Sequence, residues 1–473
     1  MATEIHFDHK MSDAEALMWR LDKDPYLSST FANISILDRA PDFDRLRRRM
    51  ERAAVAIPRL HQRVQAAPAN LTPPIWVDDP DFDIDYHVRR VALPAPGSMR
   101  QMLDLATLIT NDPFDRTRPL WQFVVIEGLA DGRAALVEKL HHTIADGEGS
   151  VQLSLQFFDF DRDAPEPPAI VVADGDDDSV SHVGDLWRDL LAGPLKVPLA
   201  VVKQIREVVA DPGSFSSASS ATMDTIKALI GQMTDIEPAK SPLWTHRSLR
   251  RRLDVLQVPF REVRDLSRNL GGTLNTAMLT AATDAAGRYH RALGAPVDSL
   301  RASMAISTRK QNGDDAATNS FSLARLLVPT GDMPILERFA AVNQASREAG
   351  SGTASLALNA IATLSGTLPT AVVTRLARLQ SQTVDFATSN VKGTPLPVFV
   401  AGAEIVANYP VGPLAGVAFN LTLLSHVGSL DMGMNMDIGA IEEPERLFTY
   451  LQESFDDLLA AGGMKTSTSS GRP

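Results

Sequence analysis

Two histidines stand side by side in the segment KLHHTIADGEG, Lys139 to Gly149, and an Asp-Gly pair, Asp146-Gly147, follows shortly after. Histidine is the side chain whose ordinary pKa, near 6.5, leaves it neutral and basic at cellular pH. A neutral imidazole at position 142 can take the proton of a hydroxyl while its oxygen attacks a carbonyl, help that is typically worth about 10²–10⁴ in rate. The second ring nitrogen must then be held, or the wrong tautomer faces the substrate. Asp146 can orient a histidine directly, or it can pair with an arginine and shape the turn. Gly147 relieves the backbone where the chain bends. Successive residues of a strand point to opposite faces, so His141 and His142 are poorly placed to ligate one metal ion. No HExxH segment occurs either, and no metal site is expected. Plain packing at a strand end is the competing explanation for the pair.

What the chain lacks narrows the chemistry. Its 473 residues include no cysteine, which removes disulfides, thiolate metal sites and a thiolate nucleophile. There is no G-x-S-x-G elbow, no Walker A loop and no Rossmann glycine fingerprint. Without an evident nucleophile for a covalent intermediate, the chemistry left is direct transfer between two substrates at one base. A net charge of −12 argues against a nucleic-acid partner and against electrostatic docking on an anionic membrane. The first residues, MATEIHFDHKMSDAEALMW, lack the basic-then-apolar pattern of a secretory signal. No apolar run is long enough for a spanning helix. A cytoplasmic protein is expected, with any membrane or lipid-droplet contact peripheral and made through apolar faces. Leu186–Val209 and Ala354–Leu379 are the amphipathic segments that could lie on a lipid surface, although such faces are ordinarily core.

The elements that must position the histidines are legible in part. Phe43–Leu60 has helical spacing, with Leu46, Met50, Ala53 and Ala54 on one side and a basic, solvated face opposite. Trp121–Glu127 is rich in β-formers, Asp131-Gly132 is a tight-turn pair, and Ala134–Leu140 returns, so the histidines fall where a hairpin strand ends. After Gly147 the pattern is ambiguous. Val151, Leu153, Leu155 and Phe157 alternate like a strand, yet Asp146 could cap a helix. Residues 166–240 form a linker, rich in Pro, Asp and Gly and then helical. From Ser241 a second α/β unit begins, with strands at RRLDVLQVPF and LRASMAIST, an Ala-rich helix at TLNTAMLTAATDAAGRYHRAL, and further helices over Met333–Leu379. The expected units are 1–165, the linker and crossover 166–240, a second domain 241–463, and a disordered tail 464–473.

HHTIADG, His141 to Gly147, resembles the HHxxxDG signature of CoA-dependent acyltransferases, which chloramphenicol acetyltransferase-like enzymes, plant acyltransferases and peptide-synthetase condensation domains share. MSDAEALMW, RPLW (Arg118–Trp121), SPLW (Ser241–Trp244) and SNVKGTPLPVFVAGAEI (Ser389–Ile405) narrow it. In that order they resemble the bacterial wax ester synthase/acyl-CoA:diacylglycerol acyltransferase family over nearly the whole chain. The resemblance implies an α/β fold of two chloramphenicol acetyltransferase-like domains, each a mixed sheet flanked by helices, joined by a helical crossover. It places the active site in a tunnel between them. It makes His142 the base, with His141 and Gly147 supporting the turn and Asp146 chiefly structural, and it makes the segment after Gly147 a helix. Acyl-CoA is the implied co-substrate, and no bound cofactor is needed. Diacylglycerol or a long-chain alcohol is the implied acceptor. Another hydroxylated acceptor, or a member that only binds acyl-CoA or neutral lipid, is the alternative. Two places depart from the family pattern: Asn275-Thr276 stands where an Asn-Asp pair is common, and Asn390-Val391-Lys392-Gly393-Thr394-Pro395 replaces Asn-Val-Pro-Gly-Pro. Asn275, Asn390 and Trp121 are the tunnel candidates. Asn275 could donate a hydrogen bond or set the helix start, and indoles such as Trp121 and Trp244 are ordinarily core.

Overall fold

The computed structural model describes residues 9–66, 73–144, 157–166, 238–307, 321–350 and 370–463. Asp146, Gly147, the segment expected to be helical after them, nearly all of the crossover and the 464–473 tail lie outside the described residues, as do 351–369.

The first half opens with α1 (Asp13–Leu21), started by a reciprocal cap in which the Ser12 hydroxyl accepts the Glu15 N–H and the Glu15 carboxylate accepts the Ser12 N–H. There follow β1 (Thr30–Leu37), α2 (Phe43–Ala56), β2 (Gln62–Gln65), β3 (Ile75–Asp78), α3 (Ile84–His87), β4 (Val88–Ala92), α4 (Met99–Asn111), β5 (Trp121–Glu127) and β6 (Ala134–His141). The second half contributes β7 (Arg251–Pro259), α5 (Phe260–Asn269), α6 (Leu274–Ala292), β8 (Ser299–Ser307), β9 (Phe321–Pro329), α7 (Ile335–Gly350) and α8 (Thr370–Ser381). It continues through β10 (Phe386–Val391), β11 (Phe399–Val400), β12 (Ala403–Val411), β13 (Phe419–His426), β14 (Ser429–Asp437) and α9 (Pro444–Ala461).

These strands form two six-stranded mixed sheets with helices packed on them, in the orders β11-β12-β1-β6-β5-β4 and β7-β14-β13-β10-β8-β9. β5 and β6 are the expected antiparallel hairpin. At its turn Asp131 and Gly132 both take left-handed backbone, φ 61° and 71°, a conformation that Asp tolerates and Gly adopts freely.

One strand pair crosses between the halves of the chain, and one helix face departs from expectation. The chain re-enters the first sheet at β11 and β12, and β12 pairs antiparallel with β1 from Ala32↔Val411 to Leu37↔Ile405. β12 contributes buried apolar residues to two clusters. Ala403 and Ile405 join the core of Phe31 and Leu37, while Ala407, Tyr409 and Val411 join that of Ile34 and Ile36.

The basic face of α2 is also not simply solvated. Arg49 is buried, its Nη1 2.6 Å from Asp159 Oδ1, and Arg45 Nη2 lies 3.1 Å from Asp159 Oδ2. The same two guanidiniums donate to the carbonyls of Ala164 and Pro165. Asp159 in turn bridges to Phe399, so α2 clamps 157–166 beside the strand exchange.

SPLW anchors the second half. His290 Nδ1–H donates to Ala286 O at 2.7 Å, which leaves Nε2 to accept the Ser241 hydroxyl at 2.7 Å. Ser241 Oγ also accepts the Trp244 N–H, and its own N–H goes to Asp385. Burial depresses the His290 pKa. This serine–histidine contact is enclosed in the core, and it staples α6 to β10 rather than presenting a nucleophile.

Candidate active site

β6 lies between β1 and β5, and its ladder grips both histidines at the strand end. The His141 N–H donates to Leu120 O at 3.1 Å and the His142 N–H to Ser29 O at 3.2 Å. Alternation along the strand then separates the rings. Lys139 and His141 point to one face; Glu138, Leu140 and His142 point to the other. His141 is wholly buried, whereas His142 keeps part of its surface open. The His142 ring rests on Phe31 of β1, centroids 4.5 Å apart and planes tilted by 37°.

The enclosed His141 has one tautomer imposed on it. Its Nδ1 faces the Thr143 N–H at 3.2 Å, a group that can only donate. The neutral ring therefore carries its proton on Nε2, which faces Asp22 Oδ1 at 3.5 Å, a long contact. Asp22 ends α1 and also accepts the Ser28 hydroxyl at 2.8 Å, with Arg116 at 3.4 Å. Burial pushes the Asp22 pKa up, but His141, Ser28 and Arg116 together outweigh it and hold the carboxyl below its usual range. Arg116 lies flat on Trp19 of α1, 3.3 Å from the ring centroid. Beside them the buried Lys139 donates to Asp112 O and sits over Phe114, and burial lowers it to about 8.

The other tunnel candidates separate. Asn275 and Asn390 meet: Asn390 Nδ2 donates to Asn275 Oδ1 at 2.6 Å. They lie 115 positions apart, one in the first turn of α6 and one near the end of β10 in the second sheet. Asn275 does not set the helix start. The cap is Thr273, whose hydroxyl accepts the Thr276 N–H while Thr276 Oγ1 accepts the Thr273 N–H. Thr276 also donates to Asn343. Trp121 is core rather than tunnel wall. It is fully enclosed, its Nε1–H donates to Leu60 O at 2.7 Å, and its ring stacks on His87 at 4.5 Å. Burial drives His87 down to about 4, so His87 is a neutral packing partner at physiological pH.

Two further residues belong to this site. Asp22 has no local signal, because it meets His141 only through folding, from a distant position in the sequence. Glu138 did have one: four residues before His142 on an alternating strand, it shares that residue's face. Its buried carboxyl is pushed up to about 7, with a partly opposing hydrogen bond from Asn33. Among the described residues no group of three or more His, Asp or Glu side chains is arranged to hold a metal ion, and no helix is long and apolar enough to cross a membrane.

Two six-stranded mixed sheets, the first of which takes in two strands from the second half of the chain, thus carry the histidine pair at the end of a central strand. The wax ester synthase/diacylglycerol acyltransferase of Marinobacter aquaeolei VT8 superposes with a TM-score of 0.64 at 21% identity, over 96% of this chain and 100% of that one. The first condensation domain of the calcium-dependent antibiotic synthetase superposes with a TM-score of 0.56 at 13% identity, covering 98% of both chains. The wax ester synthase/diacylglycerol acyltransferase catalytic-domain model matches residues 11–278, and the WS/DGAT C-terminal-domain model matches 317–459. The chain belongs to the wax ester synthase/diacylglycerol acyltransferase family. It is 32% identical to a putative diacylglycerol O-acyltransferase of Mycobacterium tuberculosis over 466 residues, 96% of this chain and 92% of the relative. It is 28% identical to a probable diacylglycerol O-acyltransferase, tgs1, of the same species over 452 residues, 93% of each.

Proposed function

We propose that the chain transfers an acyl group from acyl-CoA to the hydroxyl of a diacylglycerol, and to long-chain alcohols, with His142 as the general base. The observation that carries this is the division of labour within the pair: in a chain of this family, His141 is enclosed and tautomer-locked, while His142 stays open at the strand end. The relatives' names supply the acceptor class.

His142 takes the hydroxyl proton as the alcohol oxygen attacks the thioester carbonyl. The tetrahedral oxyanion collapses and expels the CoA thiolate, and the imidazolium returns the proton to sulfur. The products are an ester and free CoA. The thioester carries the activation, so acyl-CoA is a co-substrate and no resident cofactor is needed. An oxyanion of this kind loses about 2.7–4 kcal/mol when one donor is removed. Asn275 is the candidate for such a donor, because Asn390 occupies its oxygen and leaves its Nδ2 to donate elsewhere. Acceptors of this class are insoluble in water, so contact with a membrane or lipid-droplet surface is part of the proposal, and it is peripheral.

Thiol release from palmitoyl-CoA with dioleoylglycerol present tests the reading. His142→Ala should lower turnover by about 10²–10⁴; unchanged turnover overturns it. Co-sedimentation with neutral-lipid droplets tests the surface contact.

A further inference from the structure

β1 is an interior strand, between β12 and β6, and Phe31, Ser35 and Leu37 on one of its faces are buried. Asn33, on that same face, nevertheless keeps part of its surface open. Its register partner across the β1–β6 ladder is Glu138. Asn33 Nδ2 donates to Glu138 Oε2 at 2.8 Å and to Asn408 Oδ1 on β12, and Asn408 Oδ1 also takes the Ser35 hydroxyl at 3.2 Å. The Asn33 amide and the Ser35 hydroxyl are thereby used inward. Two acceptors are left over, Glu138 Oε1 and Asn33 Oδ1, both buried and without a hydrogen-bond partner among the described residues. Buried acceptors in native proteins are rarely left so, and two on neighbouring side chains call for a donor from outside the chain.

The place of this pair says which donor. Glu138 is only 2% exposed and shares its strand face with Leu136, Leu140 and His142. His142 lies four residues further along β6, on the order of 13 Å at strand spacing. A donor group on a substrate bound at His142 must lie about that far from the reacting carbonyl to meet the pair. Burial lifts the Glu138 carboxyl to about 7, so near neutral pH it is partly ionised, and it is the ionised form that accepts at Oε1.

We propose that Asn33 and Glu138 form a polar subsite that accepts hydrogen bonds from neutral N–H or O–H groups of a substrate bound at His142. Two sources carry that chemistry: the amide N–H groups of the acyl-CoA thioester arm, and, for an acceptor with more hydroxyls than a diacylglycerol or a simple long-chain alcohol, a second hydroxyl. The assignment to a substrate rests on acyl transfer at His142; the orphaned acceptors do not.

Steady-state kinetics of Glu138→Gln and Asn33→Leu test it, with palmitoyl-CoA as donor and either monooleoylglycerol, which keeps a second hydroxyl, or hexadecanol, which has none. Loss of one such bond should raise KM roughly three- to tenfold with kcat changed by less than about twofold. A higher KM for palmitoyl-CoA with either acceptor assigns the subsite to the thioester arm. A lost preference for monooleoylglycerol over hexadecanol assigns it to the acceptor. KM values and preference both within about twofold of wild type overturn the proposal, and the pair then serves only β1–β6 packing or an ordered water. Glu138→Gln keeps the side chain's shape and covers the case in which Asn33→Leu does not fold. Palmitoyl-CoA titrated calorimetrically into His142→Ala, with and without Glu138→Gln, reads the thioester arm without turnover. Failure of the general-base reading shows separately, as turnover retained by His142→Ala.

Discussion

Asn390 Nδ2 donates to Asn275 Oδ1 at 2.6 Å and so ties the end of β10 to the first turn of α6. Thr276 follows Asn275 directly, and Lys392 lies two residues beyond Asn390. Since the helix cap is satisfied by Thr273 and Thr276, the Asn275 side chain is not consumed in starting α6. Its bond to Asn390 lies near the surface, so Asn275→Ala and Asn390→Ala should each cost about 0.5–1.5 kcal/mol. In a double-mutant cycle followed by chemical denaturation, the double replacement should cost no more than the larger single one. Additive costs would show that the two amides act separately.

Asp22 should matter to turnover although it lies on the far face of β6 from His142. It faces His141 Nε2 while the Thr143 N–H faces Nδ1, and this ring braces the turn that carries His142. Misplacement of a reacting group by about 1 Å costs on the order of 10²-fold. Asp22→Ala is expected to lower kcat roughly 10- to 100-fold, with the KM for palmitoyl-CoA unchanged. In a His141→Ala background the same change should add little, and an undiminished effect there would show that Asp22 works by another route.

Glu138 should make stability pH-dependent. The folded chain holds its proton up to about pH 7, whereas the unfolded chain releases it near the ordinary value of 4.5. The folded state thus binds the extra proton between these limits, and stability falls as pH rises from about 4.5 to 7. The loss is about 3 kcal/mol for a carboxyl this deeply buried. Glu138→Gln cannot ionise, so its advantage over wild type should grow by that amount between pH 4.5 and pH 8 in denaturation midpoints. A constant difference across that range would contradict the assignment.

Asp159 holds Arg45 and Arg49 together beneath 157–166. Its removal leaves two guanidiniums, one of them buried, without their shared carboxylate. Breaking a buried pair from one side typically costs about 3–5 kcal/mol. Asp159→Ala should therefore destabilise more than Arg48→Ala, whose partner Glu166 is exposed. Thermal melting of the two variants gives the comparison.

Local features were legible before any coordinates. The β5–β6 hairpin, its Asp131-Gly132 turn and the Ala-rich α6 all rest on periods of two or 3.6 residues and on turn chemistry, which operate within a few positions. Contacts between distant segments were not. The basic run of α2 looks like any solvated face until Asp159, 110 positions away, is folded against it. Trp121 looks like a candidate wall residue until β4, β6 and His87 close around it.

From the sequence alone came the pairing of two imidazoles at a strand end and the alternation that must send them to opposite faces, because side-chain direction in a strand is a property of the backbone. Which of them is sealed and which stays open was decided only by tertiary structure: Asp22, Phe114 and Lys139 pack around His141, while Phe31 covers one side of His142. The same holds for the entry of β12 into the first sheet and for the meeting of Asn275 with Asn390. Burial and hydrogen-bond partnership depend on residues hundreds of positions apart, and no local pattern encodes a neighbour that only folding supplies.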